Sequence, residues 1–311
     1  MMTIGEIRKT FLSSSSGTRL APEDFYVLLA HASGTSREYL LAHPEYGIDA
    51  ETEARMRGFF ARRLAHEPVA YITGEKEFFG LPFRVTSDTL IQRPETELLV
   101  EQIIEQSTVN KKQKPDRARK ILIADIGTGS GAIIVSLAHT LKQADTRFKI
   151  QDSRFDLHAT DISRAALEIA KENAERNGVA DMISFHEGDL IGPIERVFHE
   201  ADDIILAANL PYLSETIHGS ASEDVKGYEP RQALIAEEDG LALYRKSLTD
   251  IARLIGMSDT SKRVIGFFEI SPEQDAPIRT IFSDTFPDGK SDVLPDLSGR
   301  SRVFSFRINK R

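Results

Sequence analysis

Two short segments of this 311-residue chain combine residue types and spacings that could do chemistry. The first is Asp125-Ile126-Gly127-Thr128-Gly129-Ser130-Gly131. Glycines at alternate positions allow positive φ and let a ligand approach the backbone. A helix starting there offers unpaired N–H groups. The second is Asn209-Leu210-Pro211-Tyr212. An amide or aromatic amino nitrogen is a poor nucleophile, because its lone pair is delocalised into the neighbouring π-system. Acceptors around its N–H bonds raise its electron density and fix its direction. The Asn209 side-chain oxygen is one acceptor and the Leu210 backbone carbonyl a second. Pro211 holds the residue before it extended, which aims that carbonyl. Tyr212 offers a flat face to a planar amide or base. Such a site needs no metal and no covalent intermediate; it holds the nitrogen in line with the group it takes up.

The ligand of the glycine segment follows from its neighbours. The spacing is Gly-x-Gly-x-Gly, with Ala132 at the third dinucleotide position, and no phosphate-loop Lys follows. Asp125 at a strand end would repel a pyrophosphate and attract a cationic amino group. S-adenosylmethionine carries an α-amino group, a sulfonium and no phosphate. Asp161 ends the next strand, where an acid can accept from both ribose hydroxyls. It lies farther from the glycines than the usual ~20 residues. The hydrophilic stretch Lys142 to Asp156 reads as an insertion that accounts for the excess. Asp189, after a third strand, can accept from an adenine amino group. The cofactor candidates are therefore Asp125, Gly127, Thr128, Gly129, Ser130, Gly131, Asp161 and Asp189.

The elements that position these residues are legible as periodicities. Residues 1–75 read as a small helical domain, with Phe25, Leu28, Leu29, Met56, Phe59, Phe60 and Leu64 at helical spacing. Residues 76–106 read as a connecting hairpin, including Thr89 to Ile91, and a helix opened by Pro94. From Ile121 strands and helices alternate: strands at Ile121–Asp125, Phe155–Asp161, Ile183–His186, Asp203–Ala208 and Val264–Ile270, then two closing strands at Asp292–Leu294 and Arg302–Arg307. One long helix is expected over Asp239–Ile255. This pattern predicts an α/β architecture: a Rossmann-like, doubly wound, seven-stranded sheet over 107–311 behind the small helical N-terminal domain. Ser13 to Ser16 read as a loop, and Ser107 to Lys120 as a solvated basic linker.

Composition narrows the setting. The absence of Cys rules out disulfides, thiolate metal sites and thiol nucleophiles. The formal net charge of -9 argues against stable nucleic-acid binding. The start lacks a basic segment followed by an apolar one, and no apolar run reaches the ~18–20 residues of a membrane span. No membrane association and a cytoplasmic location are expected.

With these motifs in place, the chain resembles the release-factor glutamine N5-methyltransferases of the HemK/PrmC type. The likeness covers nearly the whole length. Beyond the two segments above, it rests on Glu67-Pro68-Val69-Ala70-Tyr71-Ile72-Thr73-Gly74, Glu77-Phe78-Phe79-Gly80 and Gln92-Arg93-Pro94-Glu95-Thr96-Glu97. It continues through Tyr228-Glu229-Pro230, Asp239-Gly240-Leu241, Glu269-Ile270 and Asp296-Leu297-Ser298-Gly299-Arg300-Ser301-Arg302. The resemblance implies methyl transfer from S-adenosylmethionine to the glutamine of the Gly-Gly-Gln loop of class I peptide chain release factors. It also implies that the helical domain helps bind that protein. It places cofactor contacts on Gly127 to Gly131, Asp161, Asp189 or Leu190, and Asn209, and substrate-amide contacts on Asn209, Leu210, Pro211 and Tyr212. The chain departs from the family at Leu210, usually Pro, at Gln92 in the signature and at Ser271, commonly Gly. Asn-Leu-Pro-Tyr is the form found in ribosomal RNA adenine dimethyltransferases, so adenine N6 in RNA is the alternative acceptor.

Overall fold

Thr3 begins the first helix with a reciprocal cap: its hydroxyl accepts from the Glu6 N–H at 3.3 Å, and the Glu6 carboxylate accepts from the Thr3 N–H at 2.8 Å. The computed structural model describes residues 2–13, 21–109, 119–148, 155–258 and 261–310. Of the loop expected at 13–16, Ser13 ends the first helix and 14–16 lie outside the described residues; of the basic linker expected at 107–120, residues 107–109 are helical and 110–118 lie outside them. Helices α1 (Ile4–Ser13), α2 (Pro22–Ser33), α3 (Arg37–Ala42), α4 (Ala50–Leu64) and α5 (Val69–Thr73) follow in turn. Caps at Ser36 and Asp49, which accept from Tyr39 N–H and Thr52 N–H, fix where α3 and α4 start. Their apolar stripes meet in a core of Ile7, Phe25, Leu28, Leu29, Met56, Phe60 and Ile72. A two-residue strand β1 (Met2–Thr3) pairs antiparallel with β2 (Gly47–Ile48), a contact too short to leave a sequence signal.

The chain divides into two compact units: Met1–Glu75 with Ala221–Glu229, and Lys76–Ser220 with Pro230–Arg311. Residues 76–106 fall in the second unit rather than forming a separate body, and Ala221–Glu229 joins the first. Within the first unit, Arg63 bridges Asp24 and Asp224, and the Tyr228 hydroxyl donates to the Ala65 carbonyl at 2.7 Å.

The second unit opens with a hairpin, β3 (Glu75–Phe78) and β4 (Leu81–Arg84), then α6 (Glu97–Val109) behind a 3-10 turn at Pro94–Thr96. The expected strand character at Thr89–Ile91 is absent; the Thr89 N–H turns back to the Thr86 carbonyl instead. The alternating elements are β5 (Ile121–Ile126), α7 (Ala132–Phe148), β6 (Phe155–Asp161), α8 (Arg164–Arg176), β7 (Ile183–Glu187), α9 (Glu195–Glu200) and β8 (Asp203–Ala208). Helix α7 runs through much of the supposed insertion; residues 149–154 lie outside the described residues. Then come α10 (Glu215–Gly219), α11 (Glu223–Tyr228), which belongs to the first unit, α12 (Glu237–Gly240), α13 (Ala242–Met257), β9 (Lys262–Glu269), α14 (Asp275–Thr285), β10 (Lys290–Pro295) and β11 (Ser301–Lys310).

Strands β5 to β11 form one sheet in the order β10-β11-β9-β8-β5-β6-β7. The five strands from β7 to β9 run parallel, and β10 and β11 pair antiparallel at one edge. This is the Rossmann-like seven-stranded arrangement the alternation predicts. Strands β5 and β8 are buried along their whole length, as central strands covered on both faces must be. The expected long helix is broken: α12 ends at Gly240, whose φ is +85°, and α13 starts after Leu241. Among the described residues, no helix is long and apolar enough to cross a membrane.

Candidate active site

Strand β5 lies between β6 and β8, so the chain winds outward in opposite directions from it. Ligands in such sheets bind at that switch point, beyond the carboxyl ends of the strands. Ile126 is in register with Thr160 on one side and Ala208 on the other. Gly127, Asp161 and Asn209 therefore leave their strands at one level, although 82 residues separate the first from the last.

The glycine loop is held by backbone bonds. The Gly127 and Thr128 N–H groups both donate to the Thr160 carbonyl at 2.9 Å, and Gly131 N–H donates to Thr128 O at 2.9 Å. All three glycines have positive φ. A Cβ on Gly131 would lie 3.1 Å from the Ala170 Cβ, so glycine here lets α7 approach α8. Asp161 braces the loop from the neighbouring strand: one oxygen accepts from Gly129 N–H and the other from Ser163 N–H, both at 2.8 Å. Each carboxylate oxygen keeps acceptor capacity, and Asp161 lines the cavity.

That cavity measures about 340 Å³. The residues that line it include Asp88, Asp161 and Asp189 but no Lys, Arg or His. A lining of carboxylates without cations suits a positively charged ligand that lacks phosphate, which is the chemistry of S-adenosylmethionine. Residues Gly127 to Ser130, Asp161, Asp189, Leu190 and Asn209 all line it. Asp189 pairs with Lys246 at the rim. Leu190 is buried with a φ of +49°, unusual for a residue with a Cβ.

Three expected residues lie outside the cavity lining; one is Gly131, which sits where the loop enters α7, against Ala170. Asp125 does not line the cavity; it lies beneath the loop, 1% exposed, and accepts from the Thr128 hydroxyl at 2.6 Å. Burial pushes its carboxyl up to about 7, against the opposing Thr128 bond. A cation bound above the loop would draw it back down. The sign of its effect on folding is fixed. Below the unfolded value near 3.8 the group is protonated in both states. As pH rises toward about 7, the folded protein keeps a proton that the unfolded chain releases, so stability falls. The cost at pH 8 is on the order of 4 kcal/mol. Asp125→Asn is therefore expected to raise the Tm of the ligand-free protein at pH 8 and much less at pH 5. Equal shifts at both pH values would contradict this.

Tyr212 also lies outside the cavity lining. Its hydroxyl donates to Glu269 Oε1 at 3.3 Å, and its carbonyl accepts from Gln274 Nε2 at 2.9 Å. Burial and the Glu269 charge push its phenol above the ordinary range. Asn209 Nδ2 donates to Thr96 Oγ1 at 3.0 Å, and Thr96 donates to Glu269 Oε2 at 2.6 Å. The Tyr244 hydroxyl, fully buried, donates to the Glu269 carbonyl and lies 3.5 Å from the Leu210 carbonyl. A single hydroxyl proton serves one of these, and the longer contact leaves Leu210 O open to another donor. The Leu210 side chain is buried and rests on the glycine loop: a Cβ on Gly127 would lie 2.7 Å from its Cδ2. Sequence reasoning assigned no chemistry to Thr96, Glu269, Tyr244 or Gln274. The available signal was that Thr96 and Glu269 stand inside segments matched to the family without a stated role.

Comparisons with known proteins agree with this architecture. A model of the PrmC N-terminal domain matches residues 9–74, and a methyltransferase-domain model matches residues 118–224. The release factor glutamine methyltransferase of Bacillus subtilis (strain 168) is 33% identical, over 100% of this chain and 99% of its own. That of Moorella thermoacetica is 35% identical, over 89% of this chain and 88% of its own. Among solved structures, the hMettl16 catalytic domain in complex with the MAT2A 3'UTR hairpin 6 aligns with a TM-score of 0.52. It covers 80% of this chain and 81% of that one at 16% identity, a likeness of fold.

Proposed function

The chain belongs to the release factor glutamine methyltransferases, and from that membership we propose that it methylates the side-chain N5 of the glutamine in the Gly-Gly-Gln loop of class I peptide chain release factors. When bound, S-adenosylmethionine supplies an electrophilic methyl on its sulfonium. Asp161 would hold the ribose hydroxyls, and Asp189 with the Leu190 backbone would hold the adenine edge. The acceptor amide donates one N–H to Asn209 Oδ1 and the other to the Leu210 carbonyl. Two acceptors on one nitrogen hold its lone pair toward the methyl and favour the extra positive charge that nitrogen gains on transfer. Pro211 keeps the Leu210 carbonyl aimed, and Tyr212, outside the cavity lining, holds the end of the loop through its bonds to Glu269 and Gln274. The proton released after transfer passes to water. The helical first unit takes part in gripping the release factor, and no stable nucleic-acid binding is expected.

The observation that carries this reading is Asn209. Its Nδ2 is engaged by Thr96, which leaves Oδ1 as an acceptor at the cavity. Leu210 alone does not change the chemistry, since a backbone carbonyl survives any substitution. Leu210→Pro is expected to keep kcat within about 5-fold and to cost roughly 1 kcal/mol of stability from lost packing on Gly127. An inactive, folded variant would contradict the backbone-carbonyl role. The test of the proposal uses labelled S-adenosylmethionine, a class I release factor, and the same factor with the loop Gln changed to Ala. Label on the first alone is expected. Label on neither, with label on ribosomal RNA, would replace glutamine N5 with adenine N6.

A further inference from the structure

Glutamine and asparagine amides present a donor at one end and an acceptor at the other, and only the acceptor end of Asn209 serves the proposed reaction. We propose that Thr96 and Glu269 are positioning residues that set the polarity of Asn209, forcing its oxygen rather than its nitrogen toward the acceptor. This inference rests on the functional reading above.

Glu269 is 1% exposed at the end of β9, and its two oxygens receive different donors: Thr96 Oγ1 at 2.6 Å and Tyr212 OH at 3.3 Å. A carboxylate that accepts at both oxygens is acceptor-only, as the ionised form requires. Burial pushes its pKa up, and the Thr96 bond, the nearby Arg302 guanidinium and the Tyr212 bond oppose that shift. A threonine hydroxyl has one proton. Thr96 gives it to Glu269 and can therefore only accept from its other neighbour. That neighbour is Asn209, 3.0 Å away, which must present its NH2 group. Its oxygen is then left for the cavity, where Asn209 and Thr96 both contribute to the wall. The carboxylate thus acts as the fixed end of a relay whose other end is the reacting site. A reversed relay would aim two N–H donors at an amide N–H, leave both unpaired and hold the nitrogen away.

Nothing in the local sequence predicts this chain, because Thr96 stands 113 residues before Asn209 and 173 before Glu269. The relay also anchors both ends of the loop: Asn209 through Thr96, and Tyr212 directly on the other Glu269 oxygen. Loop position and amide polarity therefore depend on the same buried charge.

The test uses the full-length protein and whichever acceptor the wild type labels, protein or RNA. Thr96→Val keeps the shape and removes the hydroxyl. It is expected to lower kcat by about 10- to 100-fold, the value of one hydrogen bond to a group left unpaired. Calorimetric affinity for S-adenosylhomocysteine and the Tm should stay near wild type. Thr96→Ser restores the hydroxyl and should recover kcat to within about 3-fold of wild type, which a role in packing the threonine methyl would not allow. Wild-type kcat in a folded Thr96→Val, or a Thr96→Ser as slow as the Val variant, overturns the relay. Should Thr96→Val fail to fold, Thr96→Ala decides. It removes the same hydroxyl without a β-branch, so kcat must fall while S-adenosylhomocysteine affinity holds; unchanged kcat overturns the proposal. A wild type that labels RNA instead of a release factor refutes the proposed acceptor but leaves the relay open to the same measurements.

Discussion

Asn209→Ala is expected to reduce methyl transfer by about 10²- to 10³-fold, the usual effect of deleting one preorganised polar contact to a reacting centre. Affinity for S-adenosylhomocysteine should change by no more than about 5-fold, since Asp161, the glycine loop and Leu190 still line the pocket. The asymmetry follows from where the oxygen points. The Asn209 amide nitrogen is committed to Thr96, so truncation removes one of the two acceptors proposed for the substrate N–H groups and strands the Thr96 hydroxyl oxygen. Single-turnover rates and calorimetric Kd values on the same preparation check this. Parallel losses in rate and affinity would assign Asn209 to cofactor binding instead.

Gly240→Ala should be the most damaging single methyl addition near the loop. The residue has a φ of +85°, and a Cβ there would lie 2.0 Å from the Tyr212 carbonyl oxygen and 2.6 Å from Gln274 Nε2. The second atom ends a side chain that can rotate; the first is backbone and can yield only by moving the Asn209–Tyr212 loop. The variant also breaks the bond between Gln274 and Tyr212. Left-handed conformation alone costs alanine roughly 1–2 kcal/mol, and the clash should bring the loss to about 3–5 kcal/mol. Activity should fall at least ~10²-fold in the molecules that remain folded. Gly299→Ala is the control: its φ is +78°, with nothing within 4 Å of the added Cβ. It should pay only the conformational cost. Urea midpoints for the two variants measure the difference, and equal midpoints would show that the loop accommodates the methyl freely.

Much of this molecule was legible in its residues because the informative signals are local. Ile121–Asp125 and Asp203–Ala208 read as strands from the apolar runs Ile121–Ala124 and Ile204–Ala208, and Ser163 and Asn177-Gly178 bracket α8 as start and stop signals should. The alternation that follows predicts the sheet, and the sheet order then brings Gly127, Asp161 and Asn209 together. What escaped the sequence depends on long-range contacts. The break at Gly240 arises from the approach of Tyr212, 28 positions earlier, and no helical period encodes that. Helices α9, α10 and α11 span only 5–6 residues each, too short for a periodic stripe. Asp125 was expected to face the ligand because strand-end acids usually do; the loop folds Thr128 back over it instead. Thr96 and Glu269 gave no chemical signal alone, since their roles exist only once β8, β9 and the turn before α6 meet.

The central claim is the identity of the methylated atom. A class I release factor incubated with this protein and S-adenosylmethionine, then digested and analysed by tandem mass spectrometry, locates it directly. One added methyl is expected on the peptide that spans the Gly-Gly-Gln loop, with fragments that place it on the glutamine side-chain amide. A methyl on any other residue, or an unmodified loop peptide from a reaction that consumed cofactor, would contradict it.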